Sequence, residues 1–327
     1  MKIPFRIFLA FFCFFTLSFT SALAGPLEDC AEYAKYGIPS EDGKLLCRTG
    51  YLLAHDGDFK TPIWVAEHLT KEKILEKLPR KDSFRPDPDL SPGSRAELAD
   101  YKGSGFDRGH MAPNADFGWS AEAQSESFLL SNMVPQNPNN NQRIWAALEG
   151  YVRDWAIARG EVFVYSGPVY IDDKAGKSIG KNEVGVPDFL YKVIFDPKKK
   201  EAIAFLMPNE ALDPNDLAGY IIPVRDIEYV TGLNFLSKLP RKEQNRIEKV
   251  MPAGMWGVNA PSSEKSETNF KPVEENVAVG DFHGNTSSHK FHRPGCKDYD
   301  CKSCTQIFKK REEALSAGYT PCGICKP

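Results

Sequence analysis

A polar stretch from about Asn259 to Asp281, rich in Ser, Glu and Pro and lacking any periodic apolar face, divides the chain into two unequal parts. The part before it is long enough for one large domain. The part after it, about forty residues, has too little apolar surface to fold unaided. Five of the cysteines, Cys296, Cys301, Cys304, Cys322 and Cys325, crowd this tail, so cross-links or a metal must supply what its core cannot. The pattern His292-x-x-x-Cys296 followed by Cys322-x-x-Cys325 has the spacing and chemistry of a tetrahedral structural Zn²⁺ site. A four-cysteine site on Cys301, Cys304, Cys322 and Cys325 would strand Cys296, and disulfides alone are a third arrangement. The expected division is 25–258 as the main domain, 259–283 as linker and 284–327 as the tail module.

Residues 1–24 stand apart. Lys2 and Arg6 precede an apolar run from Ile7 to about Phe19, and Ala22 and Ala24 supply small residues at a cleavage site, the pattern of a secretory signal peptide. That predicts a secreted or periplasmic protein without stable membrane association after cleavage. In an oxidising compartment Cys30 and Cys47 are expected to form a disulfide closing a short loop. The formal net charge is −3, so the surface as a whole does not attract polyanions. If the chain handles one, local arginines and a metal must do the attracting.

Within the main part, LLCRTGYLLAHD and TPIWVAEHL read as two strands of a hairpin about Gly57-Asp58. The Pro-, Gly- and Asp-rich stretch from Lys81 to Phe106 reads as a long loop delivering the chain to Asp107-Arg108-Gly109-His110. Ala121 to Leu130 has helical composition, and a helix is predicted over Gln142 to Arg159 with Ile144, Leu148, Val152 and Trp155 on one stripe. EVFVYSGPVYI, FLYKVIFD and EAIAFLMPN read as strands. Irregular interleaving with long connections predicts an α+β fold with a mixed or antiparallel sheet rather than a doubly wound one.

His110 can take a proton from water near neutral pH, Arg108 can grip a phosphate, and Gly109 lets backbone or substrate come close. Asn141 and Glu149 offer hard oxygen ligands suited to Mg²⁺, and Arg153 follows Glu149 by one helical turn. Asn132 belongs to the same polar group. His55 and His68 in the hairpin, the Pro197–Glu201 lysine run, Trp145 and Trp155 read as structural or surface residues.

DRGHMAP and NMVPQNPNNNQRIWAALEGYVR together resemble the signature of the DNA/RNA non-specific endonuclease family, the Serratia-nuclease type with a ββα-metal (His-Me) finger; the likeness spans roughly Leu45 to Trp256. The resemblance implies His110 as general base and Asn141 as the protein ligand of a catalytic Mg²⁺, with Mn²⁺ as a substitute. It implies Glu149 as the residue holding water on that metal, Arg108 and Arg153 as the phosphate and transition-state arginines, and Asn132 as a further active-site asparagine. A further family arginine matches neither Arg80 nor Arg85 without a shift. Implied substrates are DNA and RNA, cut to 5′-phosphate and 3′-hydroxyl ends. The tail resembles the metal-binding domain of the Ada DNA-repair protein, with His292 where that pattern has cysteine; this implies His292, Cys296, Cys322 and Cys325 as Zn²⁺ ligands and leaves Cys301 and Cys304 as an even remainder. Two other readings are an exported nucleic-acid-binding protein without turnover and a phosphodiesterase acting on a smaller substrate.

Overall fold

The structure, a computed structural model, describes residues 25–171, 176–257, 282–292, 299–309, 313–314 and 317–322. The expected signal segment, most of the expected linker, and Cys296 and Cys325 lie outside these residues. Two compact units divide the chain, Met1–Ser262 and Ser263–Pro327.

In the first unit, helix α1 (Pro26–Asp29) precedes strands β1 (Lys44–Cys47), β2 (Tyr51–Asp56) and β3 (Thr61–Thr70). Helices α2 (Lys71–Leu75) and α3 (Leu98–Tyr101), strand β4 (Asp107–His110), helix α4 (Ala121–Glu126), strand β5 (Met133–Gln136) and helix α5 (Ala146–Arg159) follow. The chain then forms β6 (Glu161–Val169), a short pair β7 (Ser178–Ile179) and β8 (Val184–Gly185), β9 (Phe189–Asp196), β10 (Glu201–Pro208) and β11 (Ile221–Ile222), before helices α6 (Val224–Thr231) and α7 (Arg241–Glu248). The stretch expected as one strand is two, because Arg48 to Gly50 turn the chain so that β1 pairs back on β2. The lysine run forms the exposed turn between β9 and β10, and Trp145 and Trp155 are buried, as expected.

The main sheet runs β1-β2-β3-β6-β9-β10-β11 with every neighbouring pair antiparallel. It is covered on both faces, which is why its central strands read as near-continuous apolar runs. Val65, Leu69, Val164 and Ile194 face the stripe of α5 formed by Ile144, Leu148, Val152 and Trp155. Trp64, Phe163, Tyr165 and Phe195 belong to the opposite core with Val224, Ile227, Phe235 and Ile247. Central strands β3 and β6 are neighbours in space but far apart in sequence. Thr70 pairs with Glu161, and Lys71 N donates to Gly160 O at 2.8 Å, so everything from α2 to α5 is one excursion with joined ends. Gly160, at φ 90°, adopts the left-handed conformation that ends α5 and turns the chain back into β6. Cys30 and Cys47 are joined by a disulfide that ties the N-terminal segment to β1.

The second unit holds a four-stranded sheet in the order β14-β12-β13-β15, formed by β12 (Phe282–Asn285), β13 (Lys290–His292), β14 (Gln306–Phe308) and β15 (Thr320–Pro321). Strand β12 begins inside the last residues assigned to the linker. The core is small: Phe291, Phe308, Ala314 and Tyr319, with Phe282 against them. A Cβ on Gly284 would stand 2.7 Å from Phe308 and 2.8 Å from Tyr319, so only glycine lets these rings close. Cys301 and Cys304 form a disulfide. No helix among the described residues is long and apolar enough to cross a membrane.

Candidate active site

Strand β4 sets Asp107, Arg108 and His110 along one side of a 770 Å³ cleft, and the start of α5 closes the other. Strand β5 lies antiparallel beside β4, with Met133 opposite His110 and Val134 opposite Gly109. A Cβ at 109 would stand 2.0 Å from Gln136 Oε1, so the glycine admits a neighbour from its own chain. The Gln136 side chain, fully buried, donates from Nε2 to Asn140 Oδ1 at 2.8 Å, and Asn140 Nδ2 donates to the Pro208 and Glu210 carbonyls. These bonds fasten β5 to the turn entering α5, a wide π-type turn over Asn140–Trp145 where a uniform α-helix was expected.

Asn141 sits in that turn. Its Nδ2 donates to Asp107 Oδ2 at 2.9 Å, and Gln142 Nε2 donates to the same oxygen at 2.7 Å. With the nitrogen held, the Asn141 carbonyl oxygen is the atom left for a ligand. His110 packs between Phe84 and Phe128, ring centroids 5.6 and 5.3 Å away, and Trp145 Nε1 donates to its carbonyl oxygen at 3.3 Å. Its Nε2 is withdrawn from solvent and unpartnered among the described residues, which leaves Nδ1 as the nitrogen that cleft contents can reach. Burial first, then the Arg80 charge and to a smaller extent Arg108, pushes the His110 pKa down to about 3 against an opposing pull from Asp82, so the imidazole is neutral at pH 7. Arg108 lies over the Phe84 ring at 4.1 Å and lines the cleft.

Glu149 also lines the cleft. Burial raises its pKa to about 7, opposed by Lys192, Arg153 and a hydrogen bond from Trp145, while Asp116 raises it further. The cleft therefore gathers a neutral imidazole, two arginines, an anchored amide and a carboxyl group close to its own titration point. Such a set can hold a phosphodiester, accept a proton from water and offer hard oxygen ligands to a small divalent cation.

Two expected site residues stand elsewhere. Asn132 is fully buried and all its amide capacity is spent on backbone: Oδ1 accepts from Ala112 N at 3.0 Å, and Nδ2 donates to Ala112 O at 2.8 Å and Ser127 O at 2.9 Å. It holds the segment following His110 in place and does not face the cleft. Arg153 is bound to Asp116 Oδ1 at 2.9 Å and stands outside the residues lining the cleft, one helical turn beyond Glu149. For the further arginine, Arg80 lines the cleft, whereas Arg85 donates to the Ser83 and Ser125 carbonyls. Asp107, Gln142 and Phe84 were not singled out from sequence. Asp107 could have been, since it opens the same four-residue string as His110.

His55 Nε2 meets Ser94 O at 2.8 Å and His68 lies between Glu32 and Glu161, both structural as expected. In the tail, His292 and Cys322 are buried; Phe291 pairs with Pro321, and Cys322 N donates to Phe291 O at 2.9 Å, which sets the two expected ligands on adjoining strands. Among the described residues no group of three or more His, Cys, Asp or Glu is placed to hold a metal.

Comparison with known proteins identifies the family. Residues 30–242 match the family model for the DNA/RNA non-specific endonuclease. The chain is 36% identical over 245 residues to "Nuclease EXOG, mitochondrial" of Homo sapiens, covering 69% of this chain and 67% of that protein. It is 36% identical over 221 residues to "Endonuclease G, mitochondrial" of Homo sapiens, covering 64% and 74% respectively. The solved EndoG/EndoGI complex superposes with a TM-score of 0.62 at 31% identity, over 66% of this chain and 94% of that one. The names of these relatives overturn the secreted or periplasmic location expected from the N-terminal segment: they are mitochondrial nucleases and point to mitochondria rather than export. The resemblance of the tail to the Ada metal-binding domain finds no counterpart in these matches, and the family model ends at 242, before the tail begins. Strand pair, wide turn and helix carry the cleft residues within the matched span, and the chain belongs to the DNA/RNA non-specific endonuclease family, making it a phosphodiester hydrolase.

Proposed function

We propose that residues 25–258 form a Mg²⁺-dependent, sugar-non-specific endonuclease that cuts DNA and RNA to 5′-phosphate and 3′-hydroxyl ends. The carrying observation is one cleft lined by neutral His110, Arg80, Arg108, anchored Asn141 and Glu149. The donor set fits a small hard cation: Asn141 would hold it through Oδ1, Mn²⁺ could replace Mg²⁺, and most of its remaining ligands would be water. When bound, the cation neutralises charge gathering on the phosphate and on the departing oxygen.

His110 takes a proton at Nδ1 from the attacking water as the new O–P bond forms in line with the breaking P–O3′ bond. The departing O3′ takes its proton from solvent, which Glu149 orients. Arg80 and Arg108 hold the phosphate, with Phe84 behind Arg108 fixing its plane. Contacts of this kind grip phosphate and sugar, so they carry no base-sequence information. Asn132 and Arg153 act at one remove, Asn132 on the backbone after His110 and Arg153 on Asp116 and Glu149.

The test is cleavage of closed circular plasmid and of RNA, with Mg²⁺ and with EDTA, beside His110→Ala. Metal-dependent cutting of both polymers, lowered about 10²–10⁴-fold in the variant, supports the assignment. Binding of both polymers without cutting would make the chain a nucleic-acid-binding protein. Turnover of a mononucleotide diester alone would make it a phosphodiesterase on smaller substrates.

For 284–327 we propose a structural Zn²⁺ module on His292, Cys296, Cys322 and Cys325. Adjacent buried His292 and Cys322 support it, as does the Cys301–Cys304 disulfide, which removes the two cysteines the alternative site would need. Zinc analysis of the full chain checks this, with stoichiometric Zn²⁺ expected and loss on Cys322→Ser.

A further inference from the structure

Beneath the cleft, the largely apolar face of the main sheet that packs on α5 carries a polar column at its centre. Glu67 on β3, Ser166 on β6 and Lys192 on β9 all face inward, where Val65, Leu69, Val164, Leu190 and Ile194 make up the rest. Lys192 is 1% exposed and Glu67 1%. Apolar residues would fill those positions at less cost, since charged groups are almost never fully buried without partners.

Lys192 Nζ donates to Ser166 Oγ at 2.6 Å and to Met111 O at 3.3 Å, and lies 4.8 Å from the centre of the Trp145 ring. Met111 follows His110 directly, and Trp145 donates to the His110 carbonyl. One buried ammonium group therefore touches both residues that hold His110 in place, from the carbonyl side of β4 and from the base of α5. Glu67 has no hydrogen-bond partner for either carboxyl oxygen among the described residues.

We propose that Lys192 is a positioning residue for the nuclease cleft, a strut beneath it that fixes His110 through Met111 and Trp145. This rests on the function proposed above. It adds a sheet residue, Lys192, that lies outside the ββα segment and never reaches substrate. Lys192 makes no covalent bond; its effect is geometric.

The test uses the full chain with Lys192→Met, Glu67→Gln and the double variant, which removes both charges and so protects folding if the single methionine variant fails. The first readout needs no turnover: the His110 ring resonances by NMR, assigned by difference against His110→Ala. Lys192→Met and the double variant should both shift them, and Glu67→Gln, which leaves the Lys192 contacts to Met111 and Trp145 in place, should leave them near their wild-type positions. The second readout is kinetic: Lys192→Met should lower kcat at pH 7 by about tenfold with KM nearly unchanged, the mark of an interaction exerted on the reacting groups and not on binding. Unmoved His110 resonances in Lys192→Met and in the double variant, with activity falling only in step with thermal stability, would overturn the proposal by reducing Lys192 to a packing role. A wild type that cuts neither polymer while the His110 resonances still shift in Lys192→Met would sink the nuclease assignment and leave the strut standing.

Discussion

Replacing Asn132 with alanine removes an amide that does all its bonding inside the protein. Three backbone groups lose their partners at once, the Ala112 N–H, the Ala112 carbonyl and the Ser127 carbonyl, and none of them can turn to bulk water because the site is fully buried. Each orphaned group costs about 1–3 kcal/mol, and a water entering the vacated space returns part of that, so the expected loss is about 3–5 kcal/mol. Against a total stability of about 5–15 kcal/mol this is a large fraction. Urea unfolding of both proteins measures it directly. Asn132→Asp should be no milder, since one acceptor bond survives while a carboxylate is forced against two carbonyl oxygens. Turnover should fall too, because Ala112 lies two residues past His110 and loses its anchor. An Asn132→Ala protein with wild-type stability and no turnover would refute this account and return the amide to the substrate.

Asp107→Ala should release the Asn141 and Gln142 amides and raise the cation concentration needed for half-maximal cleavage by about 10–100-fold, the usual cost of losing the partner behind a metal ligand; a Mg²⁺ titration of the rate reads it, and an unchanged requirement counts against Asn141 as the ligand. Asp87, buried and gripped by both Arg48 and Ser131, has its pKa depressed by those bonds despite its burial. A depressed carboxylate stabilises the fold above its unfolded pKa of about 4 and loses that contribution as pH falls through the lower folded value. Thermal melting from pH 7 to 2 should therefore show a decline that Asp87→Asn, itself about 3–5 kcal/mol less stable at pH 7, shows more weakly. Reducing the Cys30–Cys47 bond, with its sequence separation of 17, should cost about 3 kcal/mol, seen as a lower urea midpoint.

The helix stripe of Ile144, Leu148, Val152 and Trp155 was legible because periodicity reports burial, and all four are buried. His110, Arg108, Asn141 and Glu149 stood out in sequence as a phosphate- and metal-handling set once the two strings were read together, and the fold places all four along one cleft. The internal partners of Asn132 and Arg153 were not legible, for one shared reason. An amide or guanidinium reads the same in sequence whether its partner is a substrate or a backbone carbonyl, and only the fold reveals Ala112, Ser127 and Asp116 already occupying them. The wide turn at Asn141 was illegible because one extra residue in a helical turn leaves no compositional mark. Lys192 in FLYKVIFD and Glu67 in TPIWVAEHL did leave one, a charge at an inward position of an apolar strand. The N-terminal pattern misled about location, since a short basic segment followed by an apolar run reports a sorting signal more clearly than its destination.

Central strands β3 and β6 meet only after the chain has completed the whole excursion between them. Closing a loop of about ninety residues costs roughly 4 kcal/mol of chain entropy before any contact across that seam repays it, so the seam should form late in folding, after the local hairpins β2–β3 and β9–β10. Once formed it isolates the excursion as a cassette: both ends leave the sheet at one point, and residues along it can be exchanged or lengthened without shifting a strand. A family built this way can diversify the substrate-facing loops by insertion while the sheet stays constant. Grafting between relatives should then succeed when cut at Thr70 and Glu161, provided the recipient sheet brings its own equivalent of Lys192.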